Sequence, residues 1–354
     1  MAMALSINFK YIKSTQYLEQ AISLNPNYAD AYSWLADRIN WQPDWIVTHD
    51  PQDALNYSAK AIALDPLSLL ANNNYLESLY ALGRYQEAEE IAEHMHEINP
   101  NHSFAYIRVS DIRIAQGNYA QGIHLWEKGL TFNSNNPFWR IIVSQLLNQI
   151  GLNREALNLL DNDSSATLSP WYANDLEGYS RETRNKFPLT EEDYFGMLLR
   201  ANAETVAGNY DAAVDYYRKS QFCDLCDPFI YSLQQLGEIE SANKLLVERE
   251  KRFNKLVKAG VKNWIYNPLN YSELAPINIV GMNNNYLSGD IKQAITLLQQ
   301  AITEGYIVEQ KYKIHPMYEN LRAHPKWPSL LAESDAHAAK EREIYLTQSQ
   351  DNLN

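Results

Sequence analysis

The residues of this sequence whose types and spacing come nearest to doing chemistry are two cysteines, Cys223 and Cys226, and three histidines, His94, His96 and His102. Cys223-Asp-Leu-Cys226 has redox-motif spacing. A thioredoxin-type site would place the pair where a strand runs into a helix, and no such pattern surrounds it, so oxidoreductase chemistry is not expected. Two half-buried free thiols are the plainer reading; a structural or sensing disulfide is the alternative and requires an oxidising compartment. One such pair cannot complete a tetrahedral zinc site. His94 and His96 stand two apart on a predicted helix and point to nearly opposite sides, so they cannot chelate together, and His94 is expected to pair with Glu90 one turn earlier. No Gly-x-Ser-x-Gly elbow, phosphate loop, dinucleotide fingerprint or HExxH pair occurs. The sequence therefore predicts no enzymatic activity, no cofactor and no metal.

A third set of residues is chemical through its interval. Counting eleven residues on from Pro26, Pro66, Pro100 and Ser134 gives Asp37, Glu77, Asp111 and Gln145, three acids and an amide in one structural column. Gly83, Gly117 and Gly151 stand thirty-four apart, as do Pro66, Pro100 and Ser134, and five residues after each glycine comes Ala88, Gly122 or Ala156. A fixed period of this length is one supersecondary unit copied several times. In Leu69–Leu82 the residues Tyr75, Leu76, Leu79 and Leu82 form an apolar stripe at helical spacing. Gly83 ends that helix by entering the left-handed region. Ala88, Ile91, Ala92, Met95 and Ile98 make the stripe of the next helix, and Asn99-Pro100 stops it. Such a hairpin cannot bury its stripes alone, but stacked copies can.

The Gly-x-x-x-x-small turn and the Asn/Asp-Pro stop at thirty-four residues resemble the tetratricopeptide repeat, although its usual tryptophan is missing. The predicted fold is an all-α helical-hairpin solenoid of about seven two-helix units, an α-α superhelix with a C-terminal helical cap. The N-terminal array spans 1–160 and opens half-way through a unit, so that either a lone helix begins the solenoid or, the favoured expectation, the natural protein extends further upstream. Its first complete unit holds six extra residues around Trp41 and Trp45, side chains expected to tuck against neighbouring helices. Residues 161–192 lose the period and are read as an irregular connector and bend, with a short helix around Trp171–Glu182. A C-terminal array with its cap spans 193–331, where helix 241–260 is read as a solvated charged face. Tyr318, Leu321, Trp327 and Leu330 form the cap, and 332–354 is read as a polar helix with a frayed tail.

Net charge is −13, which disfavours direct contact with a nucleic-acid backbone. No run of eighteen apolar residues exists to span a membrane, and no signal-peptide pattern opens the chain. The order of Leu18–Tyr32, the enlarged first unit and His315–Leu331 is similar to the C-terminal repeat region of bacterial signalling proteins. In that family a winged-helix transcription-regulator or nucleotide (adenylate) cyclase domain precedes a TolB-like segment and then the repeats. The resemblance implies a sensory, protein- or peptide-binding half, soluble, in cytoplasm or periplasm. A stand-alone scaffold and the regulatory region of a cyclase remain the alternatives. The expected ligand groove comprises Asp37, Asn40, Asn73, Glu77, Tyr80, Phe104, Ile107, Asp111 and Gln145, with Ile114 nearby. It would suit a basic or amine-bearing partner.

Overall fold

The computed structural model describes residues 11–40, 51–132, 137–160, 175–186, 194–220, 226–264 and 275–351. Trp41, Trp45, Cys223 and most of the 161–192 connector lie outside them. The chain is an all-α solenoid of antiparallel hairpins. The N-terminal array pairs α1 (Tyr11–Leu24) and α2 (Ala29–Asn40), α3 (Pro51–Leu64), α4 (Leu69–Ala81) with α5 (Tyr85–Ile98), α6 (Ser103–Ala115) with α7 (Tyr119–Thr131), and α8 (Pro137–Gln149) with α9 (Asn153–Leu160). A helix α10 (Leu176–Lys186) follows, a few residues later than the sequence places it.

The hairpin geometry follows from two small residues. At the end of α6, Gly117 has φ 82°, the Gly117 amide donates to Ile114 O at 2.9 Å and the Asn118 amide to Arg113 O at 2.8 Å. These two bonds satisfy carbonyls that the helix end would otherwise orphan, and only glycine takes that φ without strain. At Gly122 a methyl group would stand 2.5 Å from Ile114 Cγ1, so α6 and α7 approach as closely as they do because no side chain intervenes. Ala88 and Ala156 fill the equivalent places and are fully buried.

The C-terminal array comprises α11 (Tyr194–Val206), α12 (Tyr210–Ser220), α13 (Asp227–Gln235), α14 (Ile239–Lys258), α15 (Ile277–Leu287) and α16 (Ile291–Thr303). Short α17 (Gln310–Ile314) and α18 (Glu319–Arg322) lead to α19 (Trp327–Asp351). A two-residue antiparallel ladder, β1 (Asn263–Trp264) against β2 (Ala275–Pro276), stands between α14 and α15. Tyr217, Tyr312, Tyr318, Leu321, Trp327 and Leu330 are buried in the core of this half. The charged run on α14 is not wholly solvated. Arg249 is buried against Asp227, and its Nε donates to Asn284 Oδ1 at 2.8 Å. A guanidinium removed from water needs such a partner set.

The helix read as polar and frayed belongs to the packed body. On α19 the buried Ser334, Ala338, Glu341 and Tyr345 share one face; Ser334 accepts from the Val308 amide at 2.8 Å, and the rest of that face lies on the N-terminal array. His337 Nε2 meets Gly117 O at 2.8 Å, Glu341 Oε2 accepts from the Ala120 amide at 2.9 Å, and the Tyr345 hydroxyl donates to Glu127 Oε1 at 2.7 Å. Glu341 thereby caps α7, whose own N-cap residue Asn118 makes no side-chain capping bond. A carboxylate at a helix N-terminus satisfies an orphan donor and meets the positive end of the helix dipole. Elsewhere along the seam the Lys262 amide donates to Ala81 O at 2.8 Å, Asn263 Nδ2 to Tyr80 O at 3.0 Å, and the Ile307 amide to the Tyr119 hydroxyl at 3.1 Å. The solenoid thus folds back, its C-terminal half seated on the inter-helix turns of its N-terminal half.

Candidate functional site

The acid column assembles on the first helices of the repeats, but not as a solvated stripe. Glu77 on α4 and Asp111 on α6 are each 1% exposed, and between them stands Arg108, 3% exposed. Arg108 is ion-paired to Glu77, and its Nη1 reaches Asp111 Oδ2 at 2.9 Å. Its Nε donates to Asn73 Oδ1 at 3.2 Å, and Asn73 Nδ2 donates to Glu77 Oε1 at 3.0 Å. The guanidinium therefore spends its fork on two carboxylates and an amide, the geometry to which arginine is suited.

Burial pushes the Asp111 carboxyl up to about 6 against the pull of Arg108, with Glu77 adding to the rise. Asp37 on α2 is ion-paired to Arg38, and burial raises its pKa while Arg38 and Arg108 oppose that. Removing carboxylates from water favours their protonated form unless paired charge compensates, and here it compensates in part. The expectation of an open acidic groove is corrected accordingly: Glu77 and Asp111 are interior groups, neutralised by a base on their own face.

The remaining predicted residues divide. Asn40 ties repeats together, with its Nδ2 donating to Asn74 O at 3.0 Å and its Oδ1 accepting from Ser78 Oγ at 3.1 Å. Ile107 and Ile114 are core residues, and Tyr80 is buried at the seam. Gln145 on α8 is half-buried, and its Oε1 accepts no hydrogen bond among the described residues. Phe104 is 37% exposed. It packs edge-on against Trp139 with centroids 5.4 Å apart, and the Arg108 guanidinium lies 5.6 Å from its ring centroid. The exposed feature of this face is thus an aromatic ring backed by a fixed polar network.

Two readings of chemical residues change. Cys226, expected as a free thiol, is disulfide-bonded, and no cysteine among the described residues is free. His94 approaches Glu97 Oε2 at 3.6 Å rather than Glu90, and its Nε2 lies 3.3 Å from Pro66 O. His96 packs edge-on against Tyr106 with centroids 4.3 Å apart.

Sequence reasoning passed over the seam. Between the turns of α4–α5 and α6–α7 on one side and the α14–α16 region on the other lies a cavity of about 440 Å³. Tyr80, Tyr85 and Tyr119 line it from the N-terminal array, and Glu304 and Tyr306 from the C-terminal half. Among the described residues no helix is long and apolar enough to cross a membrane.

Residues 48–101 match the tetratricopeptide repeat family model. MamA is similar in structure at 14% identity, over 52% of this chain and 97% of that one, with a TM-score of 0.35. PilF of Pseudomonas aeruginosa is similar at 18% identity, over 70% of this chain and 94% of its own, with a TM-score of 0.38. A tetratricopeptide repeat protein from Parabacteroides merdae is similar at 15% identity, over 76% of this chain and 95% of that one, with a TM-score of 0.32. The fold is an all-α tetratricopeptide-type solenoid, and repeats of this kind are protein-interaction scaffolds.

Proposed function

We propose that this chain is a non-enzymatic, protein- or peptide-binding tetratricopeptide domain, the sensory and interaction half of a bacterial signalling or transcription-regulatory protein. The observation that carries the reading is the first-helix face around Phe104. An exposed ring lies against the Arg108 guanidinium, and the partly buried Asp37, ion-paired to Arg38, feels that same guanidinium. Such a face suits a basic or amine-bearing partner segment, with the ring as apolar anchor and Asp37, Asn73 and Gln145 as polar rim. The buried pair Glu77 and Asp111 shapes the face through Arg108 rather than by direct contact. Nucleic acid is not the partner proposed, because the chain's charge of −13 opposes a phosphate backbone. Occupancy would favour one curvature of the solenoid, and so shift an attached output domain.

Fluorescence anisotropy with labelled lysine-rich and glutamate-rich peptides tests this. The lysine-rich peptides should bind more tightly, and Phe104→Ala and Asp37→Asn should each weaken them by about three- to tenfold. Equal binding of both peptide sets, or affinity unchanged in both variants, would remove this face from consideration.

A further inference from the structure

The seam cavity has a lining that the concave face does not share. Four tyrosines, Tyr80, Tyr85, Tyr119 and Tyr306, contribute to one space of about 440 Å³. The rings of Tyr80 and Tyr85 lie 6.1 Å apart at 45°. Burial raises the pKa of all four phenols, and the nearby Glu304 charge adds to the rise at Tyr85. They are therefore neutral rings with hydroxyls at physiological pH.

The one carboxylate of the lining, Glu304, is held in place from two sides. Asn278 Nδ2 donates to its Oε2 at 3.0 Å and Gln300 Nε2 to its Oε1 at 3.1 Å. Glu304 and the one base of the lining, Lys262, are both exposed, and no ion pair joins Glu304 to Lys262 or to any other described residue. An oriented carboxylate without a basic partner, beside a space walled by aromatic rings, matches the requirements of one ligand class. The negative face of each ring attracts an organic cation, and the carboxylate supplies the counter-charge. An anion would be repelled by Glu304, and a purely apolar molecule would gain nothing from that charge.

We propose that the seam cavity is a binding site for a small organic cation, a primary amine or quaternary ammonium compound. The ligand would be held between Tyr80, Tyr85, Tyr119 and Tyr306, with Glu304 at its charge. The site exists only because the chain folds back. Tyr80, Tyr85 and Tyr119 belong to the N-terminal array, Tyr306 and Glu304 to the C-terminal half. The ligand therefore stabilises the seated arrangement, and its binding appears as a rise in melting temperature. The proposal does not depend on the reading of the Phe104 face, and Asp37→Asn leaves it untouched.

The test uses the full chain with choline, n-butylamine and the neutral choline isostere 3,3-dimethylbutan-1-ol, by calorimetry and thermal shift. At least one cation should bind saturably, about tenfold or more tighter than the alcohol. Glu304→Gln, which keeps the size of the side chain and one of its two acceptor oxygens, should weaken that cation by about three- to tenfold. Tyr85→Leu should weaken it similarly, whereas Tyr85→Phe, which keeps the ring, should retain most of the affinity. This contrast separates a ring contact from loss of the hydroxyl that accepts from Asn263 Nδ2 at 2.7 Å. No saturable binding of either cation at millimolar concentration would overturn the proposal, as would equal binding of the alcohol or cation affinity unchanged by Glu304→Gln.

Discussion

The same turn serves two ends in the two halves of this molecule. Gly117 and Gly237 both end a helix, with φ of 82° and 76°. Around Gly237 an added methyl would meet nothing within 4 Å, whereas at Gly117 it would meet the Gly305 backbone at 3.1 Å and His337 at 3.3 Å. Gly83 and Gly151 are covered likewise, by Lys262 and Arg342, while Gly208 and Gly289 are open. Local conformation alone explains Gly208, Gly237 and Gly289 of the C-terminal array, whereas Gly305 of that half is itself covered, by Gly117. The turn glycines of the N-terminal array also form a floor on which the returning chain sits, so one sequence signal there carries a second, tertiary demand.

The largest effect that would break this comparison is expected at Gly305, where a methyl would stand 2.8 Å from Gly117 Cα. Gly305→Ala should cost about 3 kcal/mol or more, because backbone must shift against backbone in addition to the strain of a positive φ. Gly237→Ala should cost only about 1 kcal/mol, the conformational term alone. Urea denaturation of the two variants decides it, and equal losses would mean that covered and open turns do not differ in energy.

A smaller effect sharpens the same contrast at the helix caps. Glu341 caps α7 from across the seam, whereas exposed Asp290 caps its own helix by accepting from the Gln293 amide at 3.0 Å. Glu341→Ala should cost about 2–3 kcal/mol, since it leaves a buried amide donor unmatched. Asp290→Ala should cost about 1 kcal/mol, because water can replace the cap. Thermal melts of both variants measure the difference.

The smallest effects near neutral pH come from titration, and they run in opposite directions in the two halves. Burial, reinforced by Arg322 and Lys311, pushes the His315 imidazole from 6.5 down to about 3. Its contribution is whole above 6.5 and falls as pH falls toward 3, because the unfolded chain takes the proton first. Between pH 7 and 6 that loss stays below about 1 kcal/mol. The Asp111 carboxyl, raised from 3.8 to about 6, behaves oppositely. Its contribution is whole below 3.8 and is lost as pH rises through 6, since the unfolded chain ionises first. Melting temperatures between pH 4 and 7 should therefore fall less steeply on acidification in His315→Gln and more steeply in Asp111→Asn.

The hairpins were legible in the sequence because the turn admits few residues at two places, the left-handed position of Gly117 and the close approach at Gly122. The acid column was legible as a register and misjudged as a surface. The signal that corrects it was present: Arg108 precedes Asp111 by one helical turn, and the equivalent of Asp111 in the preceding repeat is Glu77. A base at that position faces acids in two repeats at once. The fold-back was not legible, since His337, Glu341 and Tyr345 lie four residues apart and have the look of a solvated face. Their partners stand 218 to 221 residues earlier, and no local pattern encodes such a distance. The cavity was missed for the same reason, its tyrosines being distributed over both halves.

The cap that Glu341 places on α7 also bears on how the chain folds and how its length can vary. An open solenoid assembles from neighbouring contacts, and adding or removing a unit changes its stability by roughly one increment. Here the bond between Glu341 and Ala120 spans 221 residues, so chain entropy must be lost before that contact forms. Helices α7 and α19 should melt together rather than separately. Duplication of a single repeat between them would displace α19 from its turns, which fixes the number of repeats between α7 and α19 in a way the local sequence does not.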